Sequence, residues 1–290
     1  MQIRKPTVAG QFYPAEREAC LTELRASLAS ASLPESLPET IVAGIVPHAG
    51  WTFSGALAAL VFAAVRERTG GVETFVICGA AHGYRGPKPV VDTHEAWETP
   101  LGTVEIDQEL RERLVQSGVV TTDASVHRRE HSIEVQVPFI QHLFAEARLL
   151  PIIVPPVRGA IALGTALADA VTAQESTTVC IGSTDLTHYG PRYGFVPMGV
   201  GAEATRWAHE VNDRAFVEQA LRVDAEGLLA QAIESGNACG PGAAAATVAL
   251  AGRLGVEAGI LLAQTDSNDI MRRKMGTSSR DSVGYAALVF

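Results

Sequence analysis

The sequence predicts an α/β fold, a single layered α/β/α domain over residues 1–290 with a central, mostly parallel or mixed sheet. Three observations predict it. Short β-rich runs alternate along the chain with helix-like stretches. The runs are continuously apolar rather than alternating, which suits strands covered on both faces. No repeat, low-complexity tract or long charged linker divides the chain.

The elements follow in order. Ala15–Ala31 carries Leu21, Leu24 and Leu28 at helical spacing, and Ile41–Val46 is the first β-rich run. Ser54–Arg68, rich in Ala, Leu and Val, reads as a helix, and Thr74–Cys78 as the next strand. Lys88–Val104 resembles short strands and a loop, and Asp107–Ser117 a helix opened by a capping Asp. Ser132–Phe144 sets Ile133, Val137, Ile140 and Phe144 on one helical face, with a kink expected at Pro138. Strands are expected at Leu149–Val154, Thr177–Gly182, Gly259–Ala263 and Gly284–Phe290. Helices are expected at Ala160–Ala173, Ala202–Ala220, Asp224–Ser235 and Gly242–Leu254.

At 290 residues and 47% hydrophobic, the chain is long enough to bury a sizeable core. Its 23 basic and 32 acidic residues leave a net charge of −9, and no Lys/Arg cluster interrupts that balance, so nucleic acid is not an expected partner. The start, M-Q-I-R-K-P, lacks the apolar core of a signal peptide, and no run reaches the roughly 18 apolar residues of a membrane helix. A soluble, cytoplasmic protein is expected, and no membrane contact. Cys20, Cys78, Cys180 and Cys239 are irregularly spaced, without a C-x-x-C, so no disulfide framework is expected. Cys20, Cys78 and Cys180 read as small packed residues.

In open α/β sheets, ligands bind beyond the carboxyl ends of the strands. Three strands here end alike. Ile41–Val46 is followed by Pro47-His48, Thr74–Cys78 by G-A-A-His82-G, and Thr177–Gly182 by S-T-Asp185-L-T-His188-Y-G. If the three are parallel neighbours, their histidines converge. One histidine after a strand means little, whereas three point to a shared site. Cys239 lies in S-G-N-A-C-G-P-G, just before an alanine-rich helix opened by Pro241. A helix N-terminus favours thiolate over thiol, and a thiolate is both nucleophile and metal ligand. Two histidines and a thiolate make a three-ligand site with open positions, suited by ligand type to zinc, iron or copper. A metal-free Cys-His nucleophile pair fits the same spacing.

A second cluster reads V-His127-R-R-Glu130-His131-S-I-Glu134-V-Q-V-P. His127 and His131 are four apart, but Arg128 stands where a zincin needs Glu. His131 is expected at the start of the following helix, facing the pocket, and His127 exposed or in a salt bridge. His94, His142 and His209 read as ordinary surface or helix residues.

Six blocks, R-K-P-T-V-A-G-Q-F-Y-P, P-H-A-G-W-T-F-S-G, W-E-T-P-L-G, E-H-S-I-E-V-Q-V-P-F, S-T-D-L-T-H-Y-G and N-A-C-G-P-G, run in this order from residue 4 to about 242. In them the sequence resembles the Memo family, protein B of the bacterial AmmeMemoRadiSam system, which is similar in fold to the class III extradiol dioxygenases. The resemblance implies one transition metal ion, Fe(II) or Cu rather than Zn, on His48, His82 and Cys239. It implies an acid/base role for His188, and a substrate pocket holding His131, Asp185, Phe12 and Phe53. It further implies a dioxygenase-like, non-heme metal oxidoreductase acting on a small molecule or peptide. The alternative is a non-catalytic module that keeps this pocket and recognises a peptide or the AMMECR-like and radical SAM proteins of the same system. The family's animal members have been linked to phosphotyrosine peptides. Two departures stand out: Cys239 replaces the carboxylate ligand of the dioxygenases, and G-A-A-H lacks the Pro and hydroxyl residue that relatives more often carry before the histidine.

Overall fold

The computed structural model describes residues 2–174 and 176–290. Among the described residues twelve strands form: β1 (Ile3–Arg4), β2 (Ala43–Val46), β3 (Thr74–Gly79), β4 (Val90–Val91), β5 (Ala96–Thr99), β6 (Gly102–Glu105), β7 (Thr121–Thr122), β8 (Arg148–Ile153), β9 (Thr178–Ser183), β10 (His188–Tyr189), β11 (Ile260–Asp266) and β12 (Ser282–Val289). β1, β5 and β6 make a small sheet. The other nine make a mixed sheet in the order β10-β12-β2-β9-β3-β8-β4-β7, with β11 on the remaining side of β12.

The centre of the large sheet, β2-β9-β3-β8, is parallel, and β4 and β12 flank it antiparallel. Four parallel strands put four carboxyl ends on one edge, and His48, His82 and Asp185 leave from three of them. All six expected strands are present. Their apolar runs were legible because both faces are covered: β2 and β3 are buried throughout.

Register shows how the faces are filled. Gly44 of β2 is opposite Ile181 of β9, and the next pair is Ile45 and Gly182. Neighbouring residues point to opposite faces, so Gly44 and Gly182 look opposite ways. A Cβ on Gly44 would lie 2.6 Å from Val61 Cγ1 of the Trp51–Arg68 helix. One on Gly182 would lie 2.6 Å from Thr247 Oγ1 of the Pro241–Arg253 helix. The two glycines thus let one helix on each face approach the strands. The Gly159–Gln174 helix packs in turn on the Pro241–Arg253 helix, where a Cβ on Gly164 would collide with the Ala246 carbonyl. Cys78 and Cys180 are fully buried, their sulfurs 4.0 Å apart between β3 and β9, and Cys20 is buried as well.

The expected helices form, with three differences. Ser132–Phe144 is a 3-10 turn, Glu134–Gln136, continued by the Val137–Leu143 helix, so Pro138 lies in a first turn and kinks nothing. Ala202–Leu221 contains a π-helical stretch, Ala208–Asp213. The Ala124–His127 and Ser267–Met275 helices were not expected. Asp107 does cap its helix, its carboxylate accepting from Leu110 N at 3.0 Å. Among the described residues, no helix is long and apolar enough to cross a membrane.

Candidate metal centre

β2 ends at Val46, and Pro47 breaks its ladder before His48. The His48 N–H donates to Asp185 Oδ1 at 2.7 Å, which ties the loop after β2 to the loop after β9. The His48 ring is buried, and Nδ1 lies 3.1 Å from Ser183 Oγ. Ser183 has one hydroxyl proton and gives it to the Ser132 carbonyl at 2.7 Å. Its oxygen can therefore only accept from the ring. His48 carries its proton on Nδ1 and a lone pair on Nε2. Burial, reinforced by His131 and His82, holds the imidazole well below its ordinary value and keeps it neutral.

Nε2 of His48 faces Cys239 Sγ at 3.1 Å. The sulfur also accepts the Asp185 N–H at 3.3 Å, and the Cys239 N–H returns to the Asp185 carbonyl at 3.1 Å. Burial, then the Asp185 carboxylate, pushes the Cys239 thiol up, against the sequence expectation of a thiolate. Desolvation at the foot of the cleft outweighs what the start of the Pro241–Arg253 helix can give.

His82 is oriented differently. Its Nδ1 lies 2.9 Å from Glu130 Oε1, and its own N–H donates to Oε2 at 3.2 Å. Burial opposes charge on Glu130, but the hydrogen bond and charge of His82 and the Ser132 N–H hold the carboxyl at about 2. Burial likewise opposes charge on His82, and Glu130 overrides it, so the imidazole is raised. An ionised Glu130 can only accept, which fixes the His82 proton on Nδ1 and leaves Nε2 as donor atom. A carboxylate behind a ligating histidine is the usual means of orienting the ring and raising its basicity.

Ligand atoms of His48, His82 and Cys239 all lie within 4.8 Å of one another. So do those of Asp185, His188 and Cys239. His188 Nε2 is 3.8 Å from Asp185 Oδ2, and it is buried without a hydrogen-bond partner among the described residues. Burial pushes His188 down and Asp185 up, so both are biased toward their neutral forms.

The family is settled by comparison. A family model described as Memo-like protein matches residues 4–289. The chain belongs to the Memo family. It is 37% identical over 301 residues to a "MEMO1 family protein" of Thermococcus onnurineus, covering 99% of each chain. A protein of the same family from Methanopyrus kandleri is 37% identical over 299 residues, covering 99% of this chain and 98% of the relative. One from Methanosarcina mazei is 32% identical over 295 residues, covering 100% and 99%.

In this Memo-family chain a cavity of ≈ 550 Å³ opens over the donors. Phe12, Phe53, His131, Asp185 and His188 line it with His48 and His82, so the residues singled out in the sequence come together. His131 stacks on His82 with ring centroids 4.7 Å apart, and Phe12 covers His131 at the same distance. Cys239 does not line this cavity: its sulfur lies against His48, and the residue lines a separate cavity with Tyr84, Arg85 and Pro241. Arg192 and Tyr193 at the mouth were not foreseen.

The E-H-S-I-E block organises the site. Glu130 holds His82 and Ser132 receives the Ser183 hydroxyl. Glu134 accepts from Arg4 Nη1 at 2.7 Å, Thr7 N at 2.9 Å, Val8 N at 3.0 Å and the Tyr13 hydroxyl at 3.0 Å, which fixes the segment bearing Phe12. Sequence reasoning assigned Glu130, Ser183 and Glu134 no role. The only available signal was their place inside blocks that also carry ring nitrogens. His127 also departs from expectation. It is fully buried, Nε2 donating to the Val90 carbonyl at 3.0 Å, and burial lowers its imidazole to about 4. It was expected exposed or in a salt bridge, but the Ala124–His127 turn directs this ring inward.

Proposed function

We propose that this Memo-family protein is a metal-dependent oxidoreductase of dioxygenase-like type, with iron or copper held by His48, His82 and Cys239. The supporting observation is the preparation of the donors: two imidazoles from two strand ends each commit Nδ1 to a fixed partner and present Nε2, beside a sulfur that receives a backbone N–H. Ligands bound at about 2.0–2.3 Å from one ion lie within roughly 4 Å of one another, and His48 Nε2 and Cys239 Sγ already meet this at 3.1 Å. Imidazole with thiolate suits iron, copper or zinc by softness, and thiolate favours Cu(I) among these.

When bound, the ion supplies Lewis acidity and electron transfer at the foot of the cavity. The chain's own residues do the rest. Phe12, Phe53 and His131 enclose a substrate of small-molecule or side-chain size and exclude water from it. His188, neutral and with Nε2 unpartnered, takes or gives a proton there. Asp185 holds the His48 loop through two backbone N–H groups and faces His188.

The test is anaerobic reconstitution with Fe(II) and Cu(I), elemental analysis, and oxygen uptake with ascorbate as electron donor by wild type, Cys239→Ala and His188→Gln. About one equivalent is expected in wild type and His188→Gln, and far less in Cys239→Ala, with oxygen uptake only in wild type. Wild type that retains less than about a tenth of an equivalent of any transition metal overturns the reading and leaves a peptide- or partner-binding module.

A further inference from the structure

Between the Ala202–Trp207 and Arg214–Leu221 helices the chain is wound as a π-helix, Ala208–Asp213. A π-turn carries more residues than an α-turn and is frequently found at functional sites. Here it turns two neighbours, Asn212 and Asp213, into the protein, 5% and 1% exposed.

Both reach one residue. Asp213 Oδ1 accepts the Thr187 N–H at 2.8 Å, and Asn212 Nδ2 donates to Thr187 Oγ1 at 3.0 Å. Thr187 directly precedes His188. Asn212 also serves the other loop: its carbonyl accepts from Asn237 Nδ2 at 2.7 Å, and its side chain donates to the Ser235 carbonyl at 3.3 Å. Asn237 lies two residues before Cys239. β12 closes the arrangement from the far side. Leu186 N donates to the Gly284 carbonyl at 2.8 Å and Gly284 N to the Thr187 carbonyl at 3.0 Å. Gly284 is needed there because a Cβ would collide with the Asp213 carboxyl.

We propose that Asn212 and Asp213 are positioning residues that hold the His188 loop and the Cys239 loop in register with each other across the π-turn. The chemical meaning of that register rests on the metal-site reading, whereas the register itself does not.

The test uses Co(II) as metal probe and ring-¹⁵N histidine NMR as a metal-free readout on the full chain. Asp213→Asn keeps an oxygen for the Thr187 N–H, and Asp213→Leu removes it. Leu114→Ala, in the distant Gln108–Ser117 helix, controls for lost stability alone. Asp213→Leu is expected to weaken Co(II) binding about tenfold or more, shift the thiolate-to-Co(II) absorption and move the His188 ring signals. Asp213→Asn is expected to restore all three, and Leu114→Ala to leave them unchanged. Should Asp213→Leu fail to fold, Asn212→Ala, with the Asp213 bond intact, is expected to move the same signals. Folded Asp213→Leu or Asn212→Ala protein with wild-type spectra overturns the proposal, and so does failure of Asp213→Asn to rescue. If wild type takes up no Co(II), the metal reading falls, and the histidine signals still decide the register.

Discussion

Cys239 Sγ and His48 Nε2 lie 3.1 Å apart although 191 residues separate them in the chain. The parallel β2-β9-β3 order creates that meeting, since it puts the loops after β2 and β9 side by side, and Asp185 links both to Cys239.

Glu130 governs the second imidazole. Glu130→Gln keeps the shape but removes the charge that orients His82 and raises its basicity. Metal affinity is expected to fall about 10–100-fold in competition with a chelator. Unchanged affinity contradicts the assignment of Glu130 as the partner that tunes His82.

Metal binding is expected to strengthen as pH rises. Glu130 lifts the His82 imidazole and burial lifts the Cys239 thiol, and each proton must leave before its atom can ligate. Below those values protons compete with the ion, and above them they do not. Each bound ion is expected to displace about one to two protons near neutral pH. Calorimetry in buffers of different ionisation enthalpy measures this, and a heat independent of buffer contradicts it.

Acid destabilises the fold in two windows. His127 has an ordinary value of 6.5 and a folded value of about 4, so the unfolded chain binds its proton more readily. Its contribution is complete above pH 6.5 and is lost as pH falls to about 4. Glu130, at about 2 against 4.5, is lost between those values. Each shift corresponds to something on the order of 3 kcal/mol. Urea midpoints of wild type are expected to drop between pH 6.5 and 4, and those of His127→Gln to drop less over the same range. Parallel curves would show that His127 is not the group responsible.

Arg4 and Glu134 form an ion pair with both side chains almost fully buried. Removing one partner leaves a buried charge. Arg4→Met is expected to cost about 3–5 kcal/mol in chemical denaturation, and adding Glu134→Gln to recover part of it. Additive losses would show that the two side chains are not coupled.

Gly164 lets two helices meet without a side chain between them. Gly164→Ala would force its methyl against the Ala246 carbonyl, which is backbone and cannot step aside. A loss of about 1–3 kcal/mol is expected from thermal unfolding, and a neutral result would show that the helix pair can separate.

The elements that were legible share a physical cause. Strands buried on both faces leave continuous apolar runs, and histidines beyond their ends stand out against apolar text, so His48, His82 and His188 could be placed from the sequence. The Ser267–Met275 helix was missed because only Ile270, Met271 and Met275 are apolar; the Asp266 cap and Gly276 at its ends were the readable signals. Ser183 and Glu130 were silent because their roles depend on where a hydroxyl proton goes and which ring a carboxylate faces. Cys239 was found by its place before a helix, but the burial that pushes its thiol up is not written in G-N-A-C-G. The π-turn has no sequence period that separates it from an ordinary helix.

Three of the four thiols, Cys20, Cys78 and Cys180, are sealed at 0% exposure, while Cys239 is partly exposed. The native chain therefore contains a single partly exposed thiol. A small alkylating reagent applied to folded protein at alkaline pH reports on residue 239 without any cysteine being engineered away, and it reacts slowly because burial holds that thiol protonated. The same reagent after denaturation counts all four, so the ratio of the two labels measures in one sample how much of a preparation is folded.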